Sequence, residues 1–207
     1  MNWNDHSKLK GSHAFLSASK PGWENKTNEE LLEAYKNSFA TTIGTLLHSY
    51  AEVCIDHHEK LNKSDRHGVK IYLLQSGVPE FAIDLGIIFP TLMSYVNDAI
   101  GFGMDPEVVL WYSDLCYGTA DSIQFRNDIL RIHDLKTGVT PAKMEQLMKY
   151  AALFFLEYGY KPEKVSTQLR IYQSGEVLVL EPTPDDIHRM MHSIVEKDAA
   201  LQEIEKF

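Results

Sequence analysis

Cysteine is scarce in this chain: Cys54 and Cys116 are the only two among 207 residues. With no C-x-x-C they cannot build a zinc ribbon, and two distant thiols make no disulfide framework, which fits a reducing cytosol. No apolar run approaches the roughly 18 residues that span a bilayer, so no membrane partner is expected. The N-terminal "MNWNDHSKLKGSHAF" has no apolar h-region, so no signal peptide is expected either. There is no internal repeat and no low-complexity segment. Positive charge is also short. Lys and Arg number 20 against 29 Asp and Glu, for a net charge of −9 and a pI near 5.4. That balance excludes broad attraction to phosphate backbones, so a nucleic-acid partner would need a local basic patch or bridging metal ions.

What is present suffices for one domain of 23.6 kDa, with 44% apolar residues to fill a core and 24% charged residues. Residues 1–26 are polar and irregular. Thr27 with Glu30 forms a capping-box pattern that starts a helix at "NEELLEAYKNSF". The helical pattern continues, or restarts after "TTIG", through "TLLHSYAEVCIDHHEKL". Residues 62–104 read as a helical insertion, with helices broken near Pro79 and Pro90. The period then changes. "EVVLWYSD" (107–114), "YGTADSIQF" (117–125) and "DILRIHDLK" (128–136) read as successive strands separated by short turns. Thr140-Pro141 supplies an N-cap and N1 pair for a helix that ends at Gly159. "KVSTQLRIYQSGEVLVLEP" is a hairpin turning at Ser174-Gly175. A terminal amphipathic helix spans 184–206. The pattern is mixed α/β, with 105–181 forming the sheet and its helix.

The third strand ends oddly. In "RIHDLKTG" side chains alternate, so Asp134 and Lys136 share one face while Leu135 packs on the other. In an antiparallel run, Asp121 of the preceding strand can stand beside Asp134. Two such carboxylates repel, and a divalent cation removes that cost. Mg²⁺ takes one or two carboxylates with waters and a substrate phosphate, and Lys136 can then stabilise developing phosphate charge. Taken alone, D-x-K equally describes an exposed ion pair on an edge strand. Two helices carry further polar groups. Gln146 and Tyr150 are four residues apart and share a helix face, as do His48 and Glu52. Met144, Leu147, Met148, Ala151 and Phe155 form the complementary apolar face of the Gln146 helix.

In order, these motifs are Gly44-x-x-x-His48, Gly118-x-x-Asp121, Asp134-Leu135-Lys136-Thr137-Gly138 and Gln146-x-x-x-Tyr150. The series resembles that of RecB-type nucleases in the PD-(D/E)xK superfamily. "SHAFLSASKPGW" is similar to the N-terminal stretch of phage-associated members, and the resemblance covers roughly residues 11–60 and 105–181. It implies a restriction-endonuclease-like mixed sheet flanked by helices. It also implies a metal-dependent DNA nuclease, an exonuclease of phage or prophage recombination acting in the host cytoplasm with Mg²⁺ or Mn²⁺. Asp121, Asp134, His48 and the Leu135 carbonyl would hold the metal. Lys136 would be the catalytic lysine, Gln146 and Tyr150 would position the strand, and Glu107 is an additional acidic candidate. Two departures follow. Cys54 and Cys116 cannot supply the four thiolates of the iron–sulphur cluster some members carry, so none is expected. No G-x-x-x-x-G-K-[ST] is present, so unwinding would need a partner. DNA is the implied partner, with a recombination or single-strand-binding protein and self-association also open.

Competing readings are a nuclease-fold protein that binds DNA or a host recombination or defence protein without cutting it, and an unrelated acidic interaction protein. Smaller features read as structural. His57 and His58 point about 100° apart on a helix and make no chelating pair. His133 packs on the strand face opposite Asp134. "GFGMDP" is a turn. Ile187, Met190, Met191, Ile194 and Leu201 are the packing stripe of the last helix.

Overall fold

The computed structural model describes residues 4–138 and 140–204. The expectations for positions 1–3 and for the last residues of the terminal helix, 205–206, lie outside the described residues. Among the described residues, six α-helices and five strands follow in chain order: α1 (Asn28–Asn37), α2 (Ala40–Asp56), α3 (Arg66–Gln75), α4 (Leu85–Phe102), β1 (Asp105–Ser113), β2 (Cys116–Arg126), β3 (Ile129–Lys136), α5 (Glu145–Tyr158), β4 (Ser166–Gln173), β5 (Glu176–Leu180) and α6 (Pro184–Ile204). The sheet order is β1-β2-β3-β4-β5. β1, β2 and β3 are antiparallel neighbours, β3 and β4 are parallel, and β4 and β5 close an antiparallel hairpin. The parallel pair needs a crossover, and α5 supplies it. The protein is therefore α/β, a five-stranded mixed sheet flanked by helices.

Alternation along the strands feeds two cores. Leu130, Ile132, Leu169 and Ile171 face α5, where Leu147, Ala151 and Phe155 meet them. Leu135 and Tyr172 point the other way, into a cluster with Leu47, Leu73, Leu92 and Val96 of α2, α3 and α4. Fully burying each such side chain contributes about 1.5–3 kcal/mol, which dominates the helix propensities involved. The stretch expected as an insertion thus supplies, together with α2, the helical layer on that face of the sheet: α4 packs on β3 and β4.

Local signals explain most element ends. Thr27 and Glu30 exchange the reciprocal bonds of a capping box at α1. Thr183 and Asp186 do the same ahead of Pro184 at α6. Ser174 and Gly175 have φ of 53° and 80°, the left-handed pair of a tight hairpin turn. The first and second strands begin earlier than expected, at Asp105 and Cys116.

Five expectations need correction. The helices break at Ser38–Phe39, and "TTIG" lies inside α2. Pro90 does not break α4. It removes one backbone bond near the helix start, and burial of Phe89, Leu92, Tyr95 and Val96 outweighs that loss. α4 is also long and apolar enough to cross a membrane by length and composition; much of it is core-facing here. Thr140-Pro141 does not start α5, which begins at Glu145 with Met144 at the N-cap. The Gln173 side chain holds that segment instead. Its Nε2 donates to the carbonyls of Gly138 and Thr140, and its Oε1 accepts from Ala142 N–H at 2.9 Å. The stripe of α6 is buried at Ile187 and packed at Met191 and Ile194, but Leu201 is exposed.

Candidate metal centre

The site forms where β2 and β3 separate. Their ladder runs as far as Ser122 opposite His133. Beyond that pair the Leu135 N–H has no backbone partner in β2, and Asp121 Oδ2 accepts it at 2.8 Å. On the other edge of β2, Glu107 and Asp121 fall opposite one another in the β1–β2 register, between the pairs Pro106–Ser122 and Val108–Ala120. Glu107 takes a φ of 49° there, a left-handed conformation in a non-glycine residue. The break turns its carboxylate inward. Ligand atoms of His48, Glu107 and Asp121 all lie within 4.8 Å of one another, with His48 Nδ1 3.4 Å from Asp121 Oδ2.

Asp134 and Lys136 share a face of β3, as alternation requires. Lys136 Nζ donates to Asp134 Oδ1 at 2.9 Å and to Gln146 Oε1 at 3.0 Å. Gln146 Nε2 donates in turn to the Tyr150 hydroxyl at 3.0 Å. One hydrogen-bonded row therefore runs from β3 onto α5. Two motif glycines let the helices come this close. A Cβ on Gly118 would stand 2.9 Å from Tyr150 Cε1, and one on Gly44 would stand 3.0 Å from Thr137 Oγ1. The glycine of the α2 motif thus seats that helix on the end of the lysine-bearing strand.

The electrostatics are those of a site short of positive charge. Burial, then the neighbouring Asp134, pushes the Asp121 carboxyl up to about 7, although Leu135 N–H and Lys136 oppose the rise. Burial also raises Asp134, against the pull of Lys136 and His48. Glu107 is raised by burial and by Asp121, with Glu52 adding to the effect. His48 is lowered by burial, while Asp134, Glu107 and the Leu135 carbonyl favour its charged form. Asp134 is 1% exposed, yet its Oδ2 has no hydrogen-bond partner. A buried, unpaired carboxylate oxygen beside raised carboxyls and a neutral imidazole is a donor set that a divalent cation would satisfy.

The structure thus brings together His48, Asp121, Asp134, Leu135, Lys136, Gln146 and Tyr150. Glu107 joins His48 and Asp121 more closely than Asp134 does. Its sequence signal was only its place at the start of a strand; its inward turn depends on the β1–β2 register. The remaining histidines behave as expected: His57 and His58 lie exposed at the end of α2, and His133 is wholly buried. Comparison of the chain with family models, with curated proteins and with solved structures finds no match, so the chemistry of this centre is read from its own residues.

Proposed function

We propose that the protein is a metal-dependent DNA nuclease, with the restriction-endonuclease-like sheet and centre of the RecB-like PD-(D/E)xK group. On this reading it acts as an exonuclease in phage or prophage DNA recombination or processing, in the host cytoplasm. The observation that carries the reading is convergence. Residues from two helices and three strands, up to 102 positions apart in sequence, meet as three carboxylates, an imidazole, a half-buried lysine paired with the buried Asp134, and a Gln–Tyr relay.

Asp121, Asp134, His48, Glu107 and the Leu135 carbonyl are the groups that would hold Mg²⁺ or Mn²⁺. When bound, such an ion lowers the pKa of water and offsets phosphate charge. The protein's own part is positioning. Hydrolysis forms a bond from water oxygen to phosphorus and breaks one ester P–O bond; the water loses a proton and the departing oxygen gains one. Lys136, aimed by Asp134 and Gln146, presents an ammonium to the phosphate oxygens as negative charge builds on them. Tyr150 fixes the Gln146 amide, and Gln146 fixes Lys136, so the ammonium is in place before the strand arrives. The net charge of −9 repels a polyanion at long range, which makes these local contacts and the cation decisive.

The test is incubation with linear and closed-circular DNA, single- and double-stranded, in Mg²⁺, Mn²⁺ or EDTA. Cleavage of at least one substrate with metal, and of none in EDTA, supports the reading. Intact substrates throughout, with metal bound to the protein, would refute it.

A further inference from the structure

The two edges of the sheet are built differently. β1, at one edge, is closed to further pairing. Pro106 has no N–H to offer, Glu107 takes its left-handed φ of 49°, the register shifts between Trp111 and Ser113, and Glu157 Oε2 accepts the Trp111 N–H at 2.8 Å. Among the described residues β5, at the other edge, carries none of these devices. Its five residues, Glu-Val-Leu-Val-Leu, keep one register against β4, with no proline, bulge or left-handed residue. The two-residue turn at Ser174-Gly175 makes Gln173 and Glu176 a hydrogen-bonded pair, so Glu176, Leu178 and Leu180 spend their backbone groups on β4. The N–H and C=O groups of Val177 and Val179 therefore point away from the sheet. Neither helical layer reaches over the strand. Val177 and Val179, on the α4 side with Tyr172, are 41% and 53% exposed, and Leu178, on the α5 side with Ile171, is 44% exposed. An open, regular edge that is apolar on both faces is a template for another strand.

The strand's own sequence selects the occupant. Val177-Leu178-Val179 reads the same in both directions, so a two-fold axis through Leu178 sets like on like. In that antiparallel register Val177 meets Val179 of a second copy, and the reverse, and these are the residues whose outer backbone groups are free. Leu178 meets its own counterpart in the non-bonded position between them, where Cα atoms stand about 4.5 Å apart. Glu176, the only charge in the strand, falls opposite Leu180 rather than opposite itself, so no like charges oppose one another. Registers centred on Val177 or Val179 would instead run the strand past the Ser174-Gly175 turn or against Pro182. We infer that the protein pairs with a second copy of itself through β5, antiparallel about Leu178, joining two five-stranded sheets into one. The closed β1 edge stops the addition at two copies. A ladder this short is small beside the roughly 1,200–2,000 Å² of stable interfaces, so the association is weak and depends on concentration. The pairing uses no residue of the metal centre and stands or falls apart from the nuclease reading.

Sedimentation velocity of the full chain, from about 1 to about 300 µM, tests the pairing. Wild type should pass from monomer to dimer across that range. Val179→Pro removes an outward N–H, lost twice by symmetry, and none of the bonds to β4, so the dimer should weaken about 10-fold or more. Leu178→Lys and Leu178→Glu should each stay monomeric alone, because the axis sets like charge on like. An equimolar mixture of the two should associate again, and only as a dimer, because the axis then sets Lys on Glu. Leu178 is open to solvent, so both charged variants keep the fold, and thermal unfolding of each variant checks this. Wild type that stays monomeric throughout, single variants that associate as wild type does, a mixture that stays monomeric, or species larger than a dimer would overturn the inference.

Discussion

Asp121→Asn separates a catalytic carboxylate from a structural one. The wild-type carboxyl is 13% exposed at its side chain and is pushed from 3.8 up to about 7 by burial and by Asp134. A carboxyl raised on folding binds protons more tightly in the native state. Its destabilising effect is therefore absent below pH 4, builds up between pH 4 and 7 and is complete above that. A rise of this size corresponds to at most about 4 kcal/mol of destabilisation at pH 8. Asparagine keeps an oxygen for the Leu135 N–H, held by Asp121 at 2.8 Å, and carries no charge to repel Asp134. In EDTA at pH 8 the variant should unfold at a higher temperature than wild type, by about 2–4 °C for each kcal/mol recovered. At pH 5 the gap should shrink. Adding Mn²⁺ should raise the wild-type midpoint and leave the variant nearly unmoved, because binding to the native state alone is what stabilises it. Scanning fluorimetry across pH 5–8, with and without Mn²⁺, gives each of these midpoints. A variant less stable than wild type at pH 8 in EDTA would show that the carboxylate holds the fold together, and the reasoning would fail.

Three further outcomes follow from the same geometry. Gln146→Ala releases Lys136 and should slow cleavage by about 100-fold, the typical cost of a misplacement near 1 Å, with Mn²⁺ affinity unchanged by calorimetry; equal rates would make the Gln146–Tyr150 row incidental. Gly118→Ala drives a methyl into Tyr150 Cε1 and should cost about 1–3 kcal/mol of stability with a loss of activity, measured by denaturant unfolding; a neutral result would mean that α5 yields freely. His133, wholly buried and held neutral with its pKa lowered to about 3 by burial and the nearby Arg170 and Arg131, gives stability present above pH 6.5 and lost as pH falls toward 3. His133→Phe should therefore retain more of its pH 7 stability at pH 4, by up to about 3 kcal/mol, and superimposable acid limbs would contradict this.

Much of the centre was legible because it depends on local periodicity. Alternation alone puts Asp134 and Lys136 on one face of β3, and a spacing of four puts Gln146 beside Tyr150 on α5. The parts that stayed hidden are set by partners distant in sequence. Glu107 becomes a ligand candidate only because β1 breaks its ladder opposite Asp121. Thr140-Pro141 has the residues of a helix start, but Gln173, 33 positions away from Thr140, takes that segment's backbone groups. Pro90 looked like a helix end because its lost bond is local, while the burial that outweighs it comes from α2 and the sheet. The motif glycines were visible as letters, but their purpose, clearance for Tyr150 and Thr137, required the packing.

The most direct test is single-turnover cleavage of an end-labelled linear DNA in saturating Mn²⁺ by wild type, Asp134→Asn and Lys136→Ala. The account predicts metal-dependent cleavage by wild type and rates at least about 100-fold lower in both variants, which remain folded. Wild type that binds Mn²⁺ and cuts nothing, or variants that cut as fast as wild type, would contradict it.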